Sequence, residues 1–315
     1  MRIWQKLSIL FILSLPVLTF SKSFPYHKKM IILDEEVNTE KYWHSDKKGD
    51  EESFKSVIRA LDKTAMGHFI LMKATAKAAE EGKTLLDILK VGEGSLTDTT
   101  LIRKFSPSNP DAMVFESRSV VYLNRHLKMI DAILDLGHEL THYVYRKSFN
   151  PYTDSFKLEK FIRSTVEGRG GEVDAYVVEC KILNELFPGK LEQYSKCHLI
   201  VDESGKISKQ KAIREFYKVG SFFEKMKDEV DPFEFDLKKE SQIVRDKSYF
   251  ISSAYGVPYP LAAVYEYKTI MGAACQNDKK RLTLMENKVG RYLASESVSG
   301  VEKLKGSIKV RCEHF

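Results

Sequence analysis

Apolar side chains recur at helical spacing from about Glu52 to Glu80, at Phe54, Val57, Ile58, Leu61, Ala65, Phe69, Leu71 and Met72, and Gly82 closes the stretch. A shorter helix is expected in "TLLDILK". The pattern then changes: "TDTTLIRKF" and "SVVYLN" are rich in β-branched and aromatic residues, and "SPSNPD" between them is loop chemistry, so residues 97–123 read as strands. Beyond Asn124 the period returns to that of helices, over about 127–147, 172–187, 208–227 and 259–276, with hairpin or loop chemistry in "LIVDESGKIS". No internal repeat is visible. The implied class is α+β, a small sheet followed by a mainly helical C-terminal part.

At the N-terminus the same hydropathy reading gives a targeting segment. "MRIWQK" carries positive charge, "LSILFILSLPVLTF" is an apolar run broken by Pro16, and "SKS" offers small residues for cleavage near Ser21 or Ser23. The run is short of the roughly 20 residues that span a bilayer, so residues 1–23 read as a cleaved signal peptide, not a membrane anchor. The expected organisation is 1–23 signal peptide, 24–200 the region holding the chemistry, and 201–315 mainly helical. The charged stretch 34–55 reads as a solvated arm in preference to a pro-segment covering a cleft.

Export changes the meaning of the cysteines. Four of them, Cys180, Cys197, Cys275 and Cys312, lack any C-x-x-C spacing, and proximity pairs Cys180 with Cys197 and Cys275 with Cys312 as disulfides. Formal net charge is +6, of which Arg2, Lys6 and Lys22 leave with the signal. What remains is too little to argue for nucleic acid, and no phosphate-binding or serine-hydrolase motif is present. The mature chain is expected to be secreted or periplasmic, without stable membrane insertion.

Candidate chemistry concentrates in "LDLGHELTHYVYR", residues 134–146. Ile130, Ile133, Leu136, Leu140 and Val144 keep helical period, which places the motif on an amphipathic helix. Residues four apart share one helix face, so His138 and His142 can aim imidazole nitrogens at one point, a geometry that suits a zinc ion. Glu139, displaced by about 100° around the helix, stands beside that point and can take the proton of a water polarised by the metal.

A catalytic zinc takes three protein ligands. The schedule H-E-x-x-H-x-x-G-x-x-H is excluded, because Tyr145 and Ser148 occupy its glycine and third histidine positions. "GRGGEVDAYVVECKIL", residues 168–183, is the best source of a carboxylate: Gly170 and Gly171 break the preceding structure and Glu172 falls in the first turn of the next helix. Small Ala175 would let that helix approach the first. Glu167, Asp174 and Glu179 compete with Glu172, and Glu179 can instead orient a ligand histidine. Tyr255, Tyr259, Tyr265, His198 and His314 are candidate donors to an oxyanion.

"HELTH" on a helix, preceded by a strand and followed about 30 residues later by "GGEVDAY", resembles the zincin metallopeptidases of the glutamate-ligand branch, the gluzincins, over roughly residues 115–182. The resemblance implies one zinc ion held by His138, His142 and Glu172, with Glu139 as general base, in a zincin-like fold acting on a peptide or protein substrate. The aspartate that follows the third ligand by four residues in the best-known pattern is here Tyr176. Alternatives are a zinc-stabilised binding or structural protein without hydrolytic activity, and a zinc hydrolase of a non-peptide amide.

Overall fold

A computed structural model describes residues 41–44, 47, 49–106, 109–153, 156–233, 235–237, 242–292 and 295–315. The expected signal peptide lies outside the described residues. The long N-terminal helical pattern is two helices, α1 (Gly49–Leu61) and α2 (Ala65–Glu80). They part at Thr64, whose side chain accepts the Gly67 N–H and caps α2. Of the stretch read as an arm, residues 34–40, 45, 46 and 48 lie outside the described residues, and the rest is not free of the fold. Trp43 is 2% exposed, its indole N–H donates to the Asn124 carbonyl at 2.7 Å, and Gly49 onward belongs to α1.

"TLLDILK" is not an α-helix. A 3₁₀ turn at Leu86–Ile88 leads into strand β1 (Leu89–Gly92), where Ile88 and Leu89 are buried. A short apolar run satisfies a buried strand as well as a helix, and here the sheet claims it. Strands β2 (Leu96–Ser106) and β3 (Asn109–Asn124) form a long hairpin. β3 lies in the middle, parallel to β1 with Leu89 opposite Val121 and antiparallel to β2 with Thr97 opposite Val121. The sheet is therefore small and mixed, and β2 is its terminal strand.

Helix α3 (Met129–Tyr145) carries the motif and is buried on nearly every face from Ile130 to Tyr143. It packs against α1, α2, β3 and α5 (Glu172–Leu186), with α4 (Leu158–Val166) preceding α5. The close approach of α3 and α5 is made by Gly137: a Cβ there would stand 2.4 Å from Ile182 Cδ1. Short α6 (Leu191–Tyr194) follows. The period over 208–227 resolves into α7 (Lys209–Phe216) and α8 (Phe223–Val230), separated by a 3₁₀ turn at Gly220–Phe222 that opens on Gly220, whose φ of +56° an α-helix does not accept. α9 (Tyr259–Tyr292) runs well past residue 276 and turns back as α10 (Ser295–Arg311).

One hydrophobic core extends from Trp43 to Met271, and a small separate cluster, Met285, Val301 and Leu304, holds α9 and α10 together. Both expected disulfides are formed, Cys180–Cys197 and Cys275–Cys312, with Cα separations of 5.5 and 5.7 Å. The chain is α+β, as its periodicities imply.

Candidate metal centre

His138 and His142 stand one turn apart on α3, ring centroids 4.9 Å from each other. Glu172, in the first turn of α5, brings Oε2 to 3.6 Å from His138 Nε2 and Oε1 to 3.6 Å from His142 Nε2. Ligand atoms of the three residues all lie within 4.8 Å of one another. Donors at zinc-like bond lengths in a tetrahedral arrangement sit about 3.4 Å apart, so the spacing fits a metal ion.

The outer ring nitrogens fix which atoms face that point. His138 Nδ1–H donates to Glu179 Oε2 at 3.0 Å, and His142 Nδ1–H donates to the Gly170 carbonyl at 2.8 Å. Both Nε2 atoms are thereby left as the metal-facing positions. Glu179 is the orienting carboxylate, two helical turns beyond Glu172 on the same face of α5, whereas the position one turn beyond is Tyr176. Asp174 accepts the Gly170 N–H at 3.0 Å and pairs with Lys209 at 2.6 Å, so it steadies the loop whose carbonyl holds His142. Glu167 instead accepts from the Tyr217 hydroxyl.

Gly170 has no substitute in that loop. Its φ is +73°, and a Cβ would lie 2.5 Å from the Arg146 nitrogen and 2.7 Å from the Tyr145 carbonyl carbon. The two glycines that read as a helix breaker thus have a second use, the close backbone approach that presents a carbonyl to His142.

Without a metal, the site divides its protons unequally. Burial disfavours the charged form of His138, but Glu172 and Glu179 outweigh it and raise the ring to about 10. Burial lowers His142 to about 4. Burial likewise opposes the Glu172 charge, yet His142 and His138 hold that carboxyl well below its ordinary range. Glu139 is 7% exposed, and burial raises it to about 7 against the pull of His138 and of the Thr97 hydroxyl. Thr97 Oγ1 lies 2.8 Å from both the carbonyl and the carboxylate of Glu139. That contact ties strand β2 to the candidate base, and nothing in a β-branched strand sequence distinguishes Thr97 from its neighbours.

The cluster opens into a cleft of about 1320 Å³. Every residue from Ser95 to Leu101 lines it, as the edge of a strand does and a face does not. The edge at the cleft is therefore β2, and "SVVYLN" lies in the central strand β3. The opposite wall is formed by residues 247–256 and α9. "AYGVPYPLAAVYEYK" divides between two duties: Tyr255, Tyr259 and Glu266 reach the cleft, while Leu261, Ala263 and Val264 are buried. Tyr259 faces Glu172, Glu179 and Glu139, and burial with their charge keeps its phenol neutral. His198 bonds the Ser195 carbonyl and His314 packs on Phe233, outside the cleft. Arg146, one turn beyond His142, also lines the cleft and draws Glu172 down.

No protein-family model, curated protein or solved structure matches the chain. The functional reading therefore rests on the residues themselves.

Proposed function

We propose that the chain is an exported zinc metallopeptidase of the zincin type, with a glutamate as third ligand. The observation that carries this reading is the meeting of two tautomer-fixed histidines and Glu172 beside a buried Glu139, on the floor of a cleft bordered by the edge of β2, which is unpaired among the described residues. His138, His142 and Glu172 hold the ion. Zinc bound there supplies Lewis acidity and lowers the pKa of water.

The remaining chemistry belongs to side chains. Glu139 takes the proton of the attacking water and delivers it to the leaving amine, and burial, which raises this carboxyl in the metal-free site, favours a group that must hold a proton in passing. Thr97 orients it. The free edge of β2 binds an extended peptide by main-chain hydrogen bonds, which places a carbonyl over Glu139. A site serving stability alone has no use for a buried carboxylate next to its ligands or for an open cleft. Two disulfides agree with an oxidising compartment, secreted or periplasmic, and among the described residues no helix is long and apolar enough to cross a membrane.

The test joins zinc content to peptide-library hydrolysis. The mature chain should bind one zinc and cleave peptides, and Glu139→Gln should keep the zinc while losing about 10²–10⁴ in rate. His142→Ala should lose both. A chain that takes up no zinc, or holds zinc but leaves every library peptide intact, would refute the proposal.

A further inference from the structure

At the end of the cleft away from Glu139, strand β2 presents Arg103, whose side chain is 4% exposed. Its Nη1–H donates to Asp278 Oδ1 at 2.6 Å, and the other Asp278 oxygen is taken by Arg311 Nη1 at 2.5 Å. Tyr152 covers the guanidinium plane at 3.8 Å from its ring centroid and also faces Arg311 at 5.1 Å. Two guanidinium groups thus share one carboxylate that is fully buried, which leaves an excess positive charge. Arg103 Nε and Nη2 are buried and have no hydrogen-bond partner among the described residues.

Those two donors are not scattered. Nε–H and Nη2–H lie on one edge of the planar fork and point the same way, the arrangement that receives both oxygens of a carboxylate. Unpaired buried donors of a charged group are costly, so the arrangement calls for an anion. We propose that this edge of Arg103 is a carboxylate-binding subsite, taking an acidic side chain or the C-terminal carboxylate of a peptide laid along β2.

The inference rests on the peptidase reading for its ligand, and strand geometry then sets the register. Arg103 is six residues from Thr97, about 20 Å along the strand. Six is even, so both side chains leave the same face, and a paired peptide offers its side chains to that face at alternate positions. A carboxylate about six residues from the cleaved bond meets Arg103, and one shifted by a single residue points away. Recognition is thus of extended acidic peptides or of chain ends at fixed distance.

The experiment uses the zinc-loaded mature chain carrying Glu139→Gln and fluorescent twelve-residue peptides in which a single glutamate is moved through every position, each paired with its glutamine twin. A second arm compares C-terminal acids with C-terminal amides over a series of lengths. In one of the two arms, the carboxylate form should bind about tenfold tighter or more than its neutral twin, at one register and not at the adjacent ones. Arg103→Lys keeps a cation for Asp278 but lacks the paired edge, and should bring that ratio to within about twofold of unity.

Equal binding of acid and neutral twins at all positions and lengths overturns the subsite, as does a lysine variant that keeps the preference. If the lysine variant does not fold, the single-register preference of the parent still decides. The two readings fail separately. Hydrolysis by the unsubstituted chain without a carboxylate preference removes the subsite alone, and a preference without hydrolysis removes the peptidase alone.

Discussion

At the scale of single residues, the opposite shifts of His138 and His142 make a definite statement about metal binding. In the metal-free site His138 keeps a proton on the very nitrogen that must bind the ion, because Glu172 and Glu179 hold it. His142 has already lost its own. Metal uptake near neutrality therefore expels one proton, and zinc affinity should rise about tenfold per pH unit between about pH 6 and pH 8. For the metal-free fold the sign is the reverse. The raised pKa stabilises it fully below the ordinary value of 6.5, and this stabilisation fades as pH climbs through about 10. Glu179→Gln keeps an acceptor for Nδ1 but removes the charge, so it should weaken zinc about 10–100-fold and flatten the pH slope. Competition with a chelator at several pH values reads both effects, and an unchanged slope in the variant would assign the proton to another group.

At the scale of elements, Gly170 connects loop geometry to ligand geometry. Gly170→Ala would force a Cβ into the Tyr145 and Arg146 backbone at a φ that side chains avoid, so the loop must move and His142 must lose its acceptor. The expected cost is about 1–3 kcal/mol of stability together with weaker zinc binding, read by thermal unfolding and metal titration. Gly82, with open space around its Cβ position and φ +70°, serves as the control: alanine there should cost stability and leave zinc alone. The same elements show why parts of the molecule are readable in sequence. α3 and α5 follow from periodicity and from a glycine pair before an acid, and these are local signals. Thr97, the Gly170 carbonyl and the bond from Glu179 to His138 join segments 28 to 42 residues apart, so no local pattern reports them. The strand β1 was hidden for a different reason. A strand of four residues, with Leu89 buried and Lys90 exposed, is too short to show a period, and its pairing with β3 decides its conformation. α9 outruns its apolar period because its last turns rest on α10, not on the core.

At the scale of the whole molecule, the first half of α9 belongs to the main core and reaches the cleft, while its second half and α10 share a small core of their own. This C-terminal hairpin is joined by three devices within a few residues of each other: the Cys275–Cys312 disulfide, the small Met285 cluster, and the Arg103–Asp278–Arg311 ion group. The disulfide closes a sequence separation of 37 residues, which corresponds to about 4 kcal/mol in the chain-entropy account. Replacing both cysteines by serine should therefore loosen α10 from α9, lower the thermal midpoint, and speed hydrogen exchange in α10. Zinc affinity should not change, since every proposed ligand and its orienting partner lies on α3, α5 or the loop between α4 and α5. Arg103 would behave differently. Loss of a fixed Arg311 leaves Asp278 free to take more of the Arg103 fork, and the unpaired edge that favours carboxylates would be partly filled from within the protein. The double variant should thus keep its metal while its preference for acidic peptides falls, and a matching fall in zinc affinity would show that the hairpin supports the metal centre directly.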